Sequence, residues 1–298
     1  MPLDESPEDV PISCSMMTTG WTTTDRLTAA QRLEVLNLLN RTEVELGREA
    51  IDEGRRRVVV HGWPGQHWLL YRDDTLASYA LASGNSPVVV EVAGGGFDEG
   101  LRRCLHENAE TIEWWIRDGM AAETDAEVLR TLRMLEVVLP IEVASIPSGV
   151  SMRIFESGRD NDRWLEQNNL AFADHPEQGT WSREDLEMRI AEPWFDPSGF
   201  LLFESEEVIV ASCWTKVHEL HPDRVGEIYV ISVLPAAQGR GLGRVAATQG
   251  LNTLRRKGVS RAVLFVDDSN LGALALYGDL GFQTVREDHL LQFQKHEV

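Results

Sequence analysis

YVISVLPAAQGRGLGRVAATQGLNTL, residues 229–254, changes character near its middle. It opens within a β-branched run, Ile228 to Val233, that predicts a strand; Pro235 interrupts, and Gln238-Gly239-Arg240-Gly241-Leu242-Gly243-Arg244 leads into helical spacing. A helix that opens on glycines is an anion cradle. Its first-turn N–H groups lack intrahelical acceptors and carry the positive end of the macrodipole, while glycine lets the backbone approach phosphate oxygens closely. Arg240 and Arg244 add positive charge at the same spot, so a pyrophosphate is the expected guest. Other nucleotide loops fit worse: Gly239-x-Gly241-x-Gly243 is not GxGxxG, no GxxxxGKS/T stretch exists, and no acidic residue about 20 positions on ends a second parallel strand.

Downstream, LFVDDSNLGALALYGDLGF (264–282) reads as a strand, then Asn270, a short helix carrying Tyr277, and the Leu280-Gly281-Phe282 turn. Asn270 and Tyr277 are two helical turns apart and so project from one face. Upstream, GFLLFESEEVIVASCWTK (199–216) is a hairpin turning at Glu206-Glu207, followed by the strand GEIYVISV (226–233). The first half repeats this order. HWLLYRDDTLASYALA (67–82) turns at Asp73-Asp74, and PVVVEV (87–92) follows. The offset implies an internal duplication of roughly 140 residues, with a joint near Pro147-Ser148-Gly149. EVLRTLRMLEVV (127–138) looks helical by spacing, but its counterpart by repeat position, TVREDHLLQF (284–293), is a closing strand, and the strand reading is preferred. A helix is expected after Thr24, with Thr28 as cap and Leu27, Leu33, Leu36, Leu39 and Val44 on its apolar face. The expected fold is α+β, in two domains: a flexible leader (1–20), an N-terminal domain (21–148) and a C-terminal domain (149–298).

Composition removes whole classes of function. With 28 Lys and Arg against 48 Asp and Glu the net charge is −20, which repels nucleic acid and anionic membranes. No apolar stretch approaches the roughly 18 residues of a membrane span, and the acidic start MPLDESPEDV is unlike a secretory signal, so a cytoplasmic protein is expected. Cys14, Cys104 and Cys213 lie far apart and the eight His form no cluster, so neither disulfides nor a metal are expected. A monomer acting on a small molecule fits these limits.

The glycine loop and the block after it together resemble the GNAT acetyltransferases, whose acetyl-CoA loop reads QxxGxG/A; Gln238, Arg240, Gly241 and Gly243 stand at those positions. The resemblance implies two tandem GNAT domains, each a mixed, mostly antiparallel sheet flanked by helices. It implies that Ile231, Ser232 and Val233 pair with pantetheine, and that Gln238, Gly239, Arg240, Gly241, Leu242, Gly243 and Arg244 hold the pyrophosphate. Asn270, Leu271, Gly272, Ala273, Leu274 and Ala275 would line the coenzyme, and Tyr277 would protonate the departing sulfur.

Residues 150–298 are similar, more narrowly, to the mycothiol synthase family of tandem GNAT enzymes. The matching pieces are Asn169-Leu170-Ala171-Phe172, His175-Pro176-Glu177-Gln178-Gly179, WFDPSGFLL (194–202) and GEIYV (226–230). This resemblance implies acetyl transfer from acetyl-CoA to the cysteinyl amine of cysteinyl-glucosaminyl-inositol (Cys-GlcN-Ins), the last step of mycothiol biosynthesis. Glu177, Lys216 and Glu227 would face that acceptor, and Glu45 would add an acidic contact from the first half. Chemistry supports the choice of Glu227 as base: an α-amino group with a pKa of about 8 arrives largely protonated and must lose a proton to attack a thioester. A covalent route through Cys213 lacks a visible His/Asp arrangement.

Two departures matter. Phe265 stands where the family has a tyrosine thought to touch substrate. In the first half, Ala93-Gly94-Gly95-Gly96-Phe97-Asp98-Glu99 keeps glycines but sets acids where the anion would lie, so that half is expected to be degenerate. Two rival readings stay open: a GNAT enzyme for another amine (a protein N-terminus, an aminoglycoside or a small amine), or a non-catalytic acetyl-CoA-binding module. Retention of both Glu227 and Tyr277 speaks against the second.

Overall fold

The two acidic turns take the backbone conformation their hairpins need. Asp73 and Asp74 have φ of 48° and 57°, and Glu206 and Glu207 have 50° and 66°, the two successive left-handed residues that match the twist of antiparallel strands. The computed structural model describes residues 20–46, 49–85, 87–95, 97–117, 126–173, 179–219 and 224–295. The expected leader, up to residue 19, lies outside them.

The elements run β1 (Trp21–Thr24), α1 (Ala29–Leu46), α2 (Glu53–His61), β2 (Gln66–Arg72), β3 (Thr75–Ser83), β4 (Val88–Ala93), α3 (Glu99–His106), β5 (Thr111–Arg117) and β6 (Glu127–Val138). They continue β7 (Ser151–Ile154), α4 (Asn161–Ala171), α5 (Arg183–Ile190), β8 (Phe200–Ser205), β9 (Val208–His218), β10 (Val225–Val233), α6 (Leu242–Arg256), β11 (Arg261–Asp267), α7 (Leu271–Asp279) and β12 (Gln283–Gln294). Among the described residues no helix is long and apolar enough to cross a membrane. Thr28 does cap α1, exchanging hydrogen bonds with Gln31 in both directions. The apolar face differs from the expected one: Val35, Leu38 and Leu39 are buried, while Leu33 and Val44 are 61% and 79% exposed.

The chain divides into two compact units, Met1–Thr131 with Asp288–Val298, and Leu132–Glu287. The strand reading of 127–138 is borne out, but the division differs from a joint at 148–149. In unit 1 the order is β1-β2-β3-β4-β5, completed by the last part of β12, whose Asp288–Gln294 pairs antiparallel with Arg117–Thr111 of β5. In unit 2 the order is β7-β8-β9-β10-β11, completed by the last part of β6, where Leu132–Val138 pairs with Asp267–Arg261. Each closing strand is thus supplied by the other half of the sequence. Ladder hydrogen bonds join backbone to backbone, so a repeat in side chains does not say which sheet a closing strand joins.

Both sheets are mostly antiparallel with one parallel pair, β4-β5 and β10-β11, each joined by a crossover helix, α3 or α6. α6 lies close on its sheet. Val245, Ala246, Ala247, Leu251 and Leu254 are buried beneath it, and a Cβ added to Gly250 would stand 2.4 Å from the Cys213 sulfur. On the opposite face of unit 2 the aromatic cluster of Trp164, Phe200, Trp214, Trp194 and Tyr229 packs under α4 and α5.

Candidate active site

The parallel pair β10-β11 is registered at only two rungs, Gly226↔Ala262 and Glu227↔Val263, although both strands run on, to Val233 and Asp267. Past Glu227 the strands part. A bulge between Ile228 and Val230 in the β9 register shifts β10 just upstream of the opening. Leu234 N–H donates to Val210 O (3.0 Å). Because successive amides of a strand alternate in direction, the Val233 and Ile231 N–H groups point away from β9, into the gap. Behind them Ser232 Oγ is anchored by the Gln167 amide oxygen (2.9 Å) and the Ser212 hydroxyl (2.7 Å), all three residues buried.

α6 opens on Gly241, in the left-handed region at φ 78° and without a side-chain cap. The first intrahelical bond runs from Val245 N–H to Gly241 O, which leaves the amides of Leu242, Gly243 and Arg244 without intrahelical acceptors. Beside Gly239 (φ 73°) and Gly241 an added Cβ would meet nothing within 4 Å, so what demands glycine there is the backbone angle and whatever approaches from the open side. Arg244 is held toward α7 by Asp279 at 2.9 Å.

The gap is a cleft of about 460 Å³. Of the expected coenzyme residues, Ile231, Ser232, Val233, Gln238, Gly239, Gly241, Leu242, Gly243, Arg244, Asn270, Gly272 and Ala273 line it together with Tyr277. Arg240 is exposed outside it, and Leu271, Leu274 and Ala275 do not line it. On α7 the positions that line the cleft are Asn270, Gly272, Ala273, Leu276 and Tyr277, while Leu271 is 74% exposed. Ala171, Phe172 and Leu276 also line the cleft; the first two lay in a quoted motif without an assigned role, and Leu276 shares the Asn270–Tyr277 stripe. Asn270 has a second task as N-cap of α7, its side-chain oxygen accepting from Ala273 N–H at 3.1 Å.

Tyr277 is buried against Phe282, and burial, with the neighbouring Cys213, pushes its hydroxyl well above the usual range, so it keeps its proton at neutral pH. Burial pushes the Cys213 thiol up to about 12, which leaves no thiolate for a covalent route.

Glu227 and Lys216 are Cα partners across β10 and β9, both buried. The Lys216 ammonium lies 4.8 Å from the Trp194 ring and 5.5 Å from the Tyr229 ring. Glu227 Oε2 lies 2.5 Å from Nε2 of His218, a residue the sequence reading passed over. Phe265 is 41% exposed under the Arg286 guanidinium (5.5 Å) and does not line the cleft. Glu177 falls outside the described residues, and Glu45 is exposed on α1 of unit 1 rather than in this unit. Among the described residues no group of three or more His, Cys, Asp or Glu is placed to hold a metal ion.

At the corresponding positions of unit 1 other residues stand. At the second rung of its parallel ladder stands Val89, where unit 2 has Glu227. Asp98 caps α3, accepting from Leu101 N–H at 2.8 Å, and takes a second hydrogen bond from Trp21 Nε1 at 3.0 Å. Phe97 packs between Trp114 and Phe293, with ring centroids 5.1 Å away on each side.

A sheet that splays beside an uncapped glycine-led helix, with a protonated tyrosine inside the opening, defines a GNAT acetyltransferase. A family model described as Acetyltransferase (GNAT) family matches residues 164–282. The chain is 39% identical over 287 residues to the mycothiol acetyltransferase of Streptomyces griseus subsp. griseus, covering 89% of this chain and 93% of that one. It is 37% identical over 287 residues to that of Thermomonospora curvata, covering 90% and 95%. The chain belongs to the mycothiol acetyltransferase family. That membership bears out the expected acetyl-CoA-dependent acetyltransferase acting in mycothiol biosynthesis. Among solved structures, a tandem GNAT protein from the clavulanic acid biosynthesis pathway shares the fold at TM-score 0.66 and 12% identity, over 93% of this chain and 99% of that one. The GCN5-related N-acetyltransferase from Sphaerobacter thermophilus does so at 0.64 and 18%, over 92% and 95%.

Proposed function

We propose that unit 2 binds acetyl-CoA in the β10-β11 cleft and transfers its acetyl group to the cysteinyl amine of Cys-GlcN-Ins, while unit 1 has lost coenzyme binding and catalysis. The observation that carries the reading is the set of unbonded amides from Leu242 to Arg244 at the mouth of a cleft whose walls hold the Ile231 and Val233 amides and Tyr277. The amides take the pyrophosphate, and the strand edge pairs with pantetheine.

The substrate ammonium gives one proton to Glu227, and the freed amine attacks the thioester carbonyl, whose developing charge the Val233 N–H stabilises. As the C–N bond forms and the C–S bond breaks, Tyr277 gives its proton to the thiolate and regains the second nitrogen proton through water, and Glu227 returns its own to solvent. Amide, thiol and one proton released to water close the balance. Lys216 and the rings of Trp194 and Tyr229 bound the acceptor side near Glu227. Glu45 and Glu177 remain candidate contacts to the sugar portion. No metal enters any step, and the reading is of a cytoplasmic monomer that engages neither nucleic acid nor membrane.

Purified protein with acetyl-CoA, offered Cys-GlcN-Ins beside a panel of other amines, tests this directly. Turnover of the cysteinyl glycoside above all others is expected; turnover of the panel without it overturns the acceptor, and no turnover of any amine overturns catalysis. A coenzyme in unit 1 of a crystal soaked with acetyl-CoA would overturn the assignment of that half.

A further inference from the structure

His218 ends β9 in register with Val225, one diagonal step from Glu227, whose own partner is Lys216. The antiparallel pleat sets Lys216, His218 and Glu227 on one face, with the His218 and Glu227 side chains only 16% and 10% exposed. With Glu227 ionised the carboxylate only accepts, so the 2.5 Å contact between Glu227 Oε2 and His218 Nε2 places the proton on Nε2.

Resting on the reading above that Glu227 is the base, we propose that His218 is its positioning residue. The Nε2–H holds one carboxylate oxygen so that the other faces the incoming amine, and protonation of Nδ1 sets the pH below which the base weakens. The reasoning is electrostatic: an imidazolium in contact with a carboxylate stabilises its charged form and lowers its appetite for the ammonium proton. Other charges bear on the pair. Lys216 stands directly across the strand; the same row continues through Val263 to Glu136 on β6, which pairs with Arg261 at 3.4 Å. Glu219 and Arg224 pair at 2.8 Å where the β9-β10 hairpin begins, and Arg189 of α5 bonds the Tyr229 hydroxyl at 3.2 Å. Among the described residues these charges keep their sign near neutrality, the range in which an unperturbed histidine changes its charge. The acidic limb of kcat therefore belongs to the coupled Glu227–His218 pair.

The test measures kcat and KM from about pH 5.5 to 9.5 with saturating Cys-GlcN-Ins on the full chain carrying His218→Gln, His218→Phe or Glu227→Gln, the pH span bracketing an unperturbed histidine. His218→Phe keeps a flat ring but no donor; it is expected to lose roughly 10- to 100-fold in kcat while KM for acetyl-CoA stays within about twofold. His218→Gln keeps an N–H donor that does not titrate. It is expected to recover most of kcat at high pH and to shift the acidic limb down by about half a pH unit or more. A wild-type profile for both His218 variants overturns the proposal, as does a His218→Gln limb that stays in place. If His218→Phe fails to fold by thermal unfolding, the limb of His218→Gln decides alone. Loss of turnover in Glu227→Gln beside unaffected His218 variants removes this inference and leaves the base assignment standing. Wild-type turnover in Glu227→Gln removes both.

Discussion

Replacing Gly241 by Asp makes the α6 entrance resemble that of α3, where Asp98 already occupies the helix amides. Gly241 sits at φ 78°, where a non-glycine residue is strained by about 1–2 kcal/mol. If the backbone swings toward the extended conformation of Asp98 (φ −130°, ψ 115°), the new carboxylate can cap α6, a gain of about 1 kcal/mol. The strain applies if the backbone stays left-handed and the cap if it swings, so unfolding free energy should fall by about 2 kcal/mol at most or rise by about 1 kcal/mol. Coenzyme affinity should behave otherwise. Losing two charge-assisted hydrogen bonds to the pyrophosphate at about 1.5 kcal/mol each removes about 3 kcal/mol, roughly a 100-fold rise in Kd before repulsion is added. Gly241→Ala carries the strain without the carboxylate and should weaken binding far less. Isothermal titration with acetyl-CoA on both variants, beside thermal unfolding, reads the difference. A Gly241→Asp protein that folds and binds acetyl-CoA within threefold of wild type would refute the anion cradle at α6.

Tyr277→Phe should lower kcat by roughly 10- to 100-fold, with stability little changed because phenylalanine keeps the buried ring; full activity would show that the leaving sulfur takes its proton elsewhere. Gly250→Val should lower stability by about 1–3 kcal/mol, because its Cβ would lie 2.4 Å from the Cys213 sulfur, and Cys213→Ala in the same chain should return part of it; additive losses in calorimetry would contradict that contact. Asp160, fully buried and doubly bonded to Arg153 at 2.5 and 2.8 Å, is held below the usual carboxylate range, the Arg153 and Glu156 hydrogen bonds outweighing the opposing effect of burial. A depressed carboxylate stabilises above its unfolded pKa of about 4, and that contribution fades as pH falls toward the folded value. Asp160→Asn should therefore lose about 2–3 kcal/mol at pH 7 and progressively less below pH 4 in denaturant titrations, and a constant difference across that range would count against the ion pair.

Much of the site could be read from residue order because its parts are local. The two acidic turns, the switch from strand to glycine-led helix at 238–244 and the Asn270–Tyr277 stripe each depend on conformations set within a few residues, and each is found in the fold. Of the contiguous stretch 270–275, Asn270, Gly272 and Ala273 line the cleft, since successive positions of a helix turn to different neighbours. His218 escaped notice because its meeting with Glu227 depends on the register of β9 against β10, nine residues apart in sequence but diagonal in the ladder. Ala171 and Phe172, at the end of α4, carried no chemical signature that would place them beside the coenzyme strand.

Residue order alone pointed to the acetyltransferase class and the paired halves, since turn angles and helix openings are properties of short stretches. The exchange of the closing strands β6 and β12, the gap beyond the second rung of β10-β11 and the pairing of Glu227 with His218 were settled only by the folded chain. The first two are made by backbone hydrogen bonds between strands far apart in sequence, and the third rests on the register of one strand against the next; such bonds carry no trace of side-chain identity until packing chooses their register.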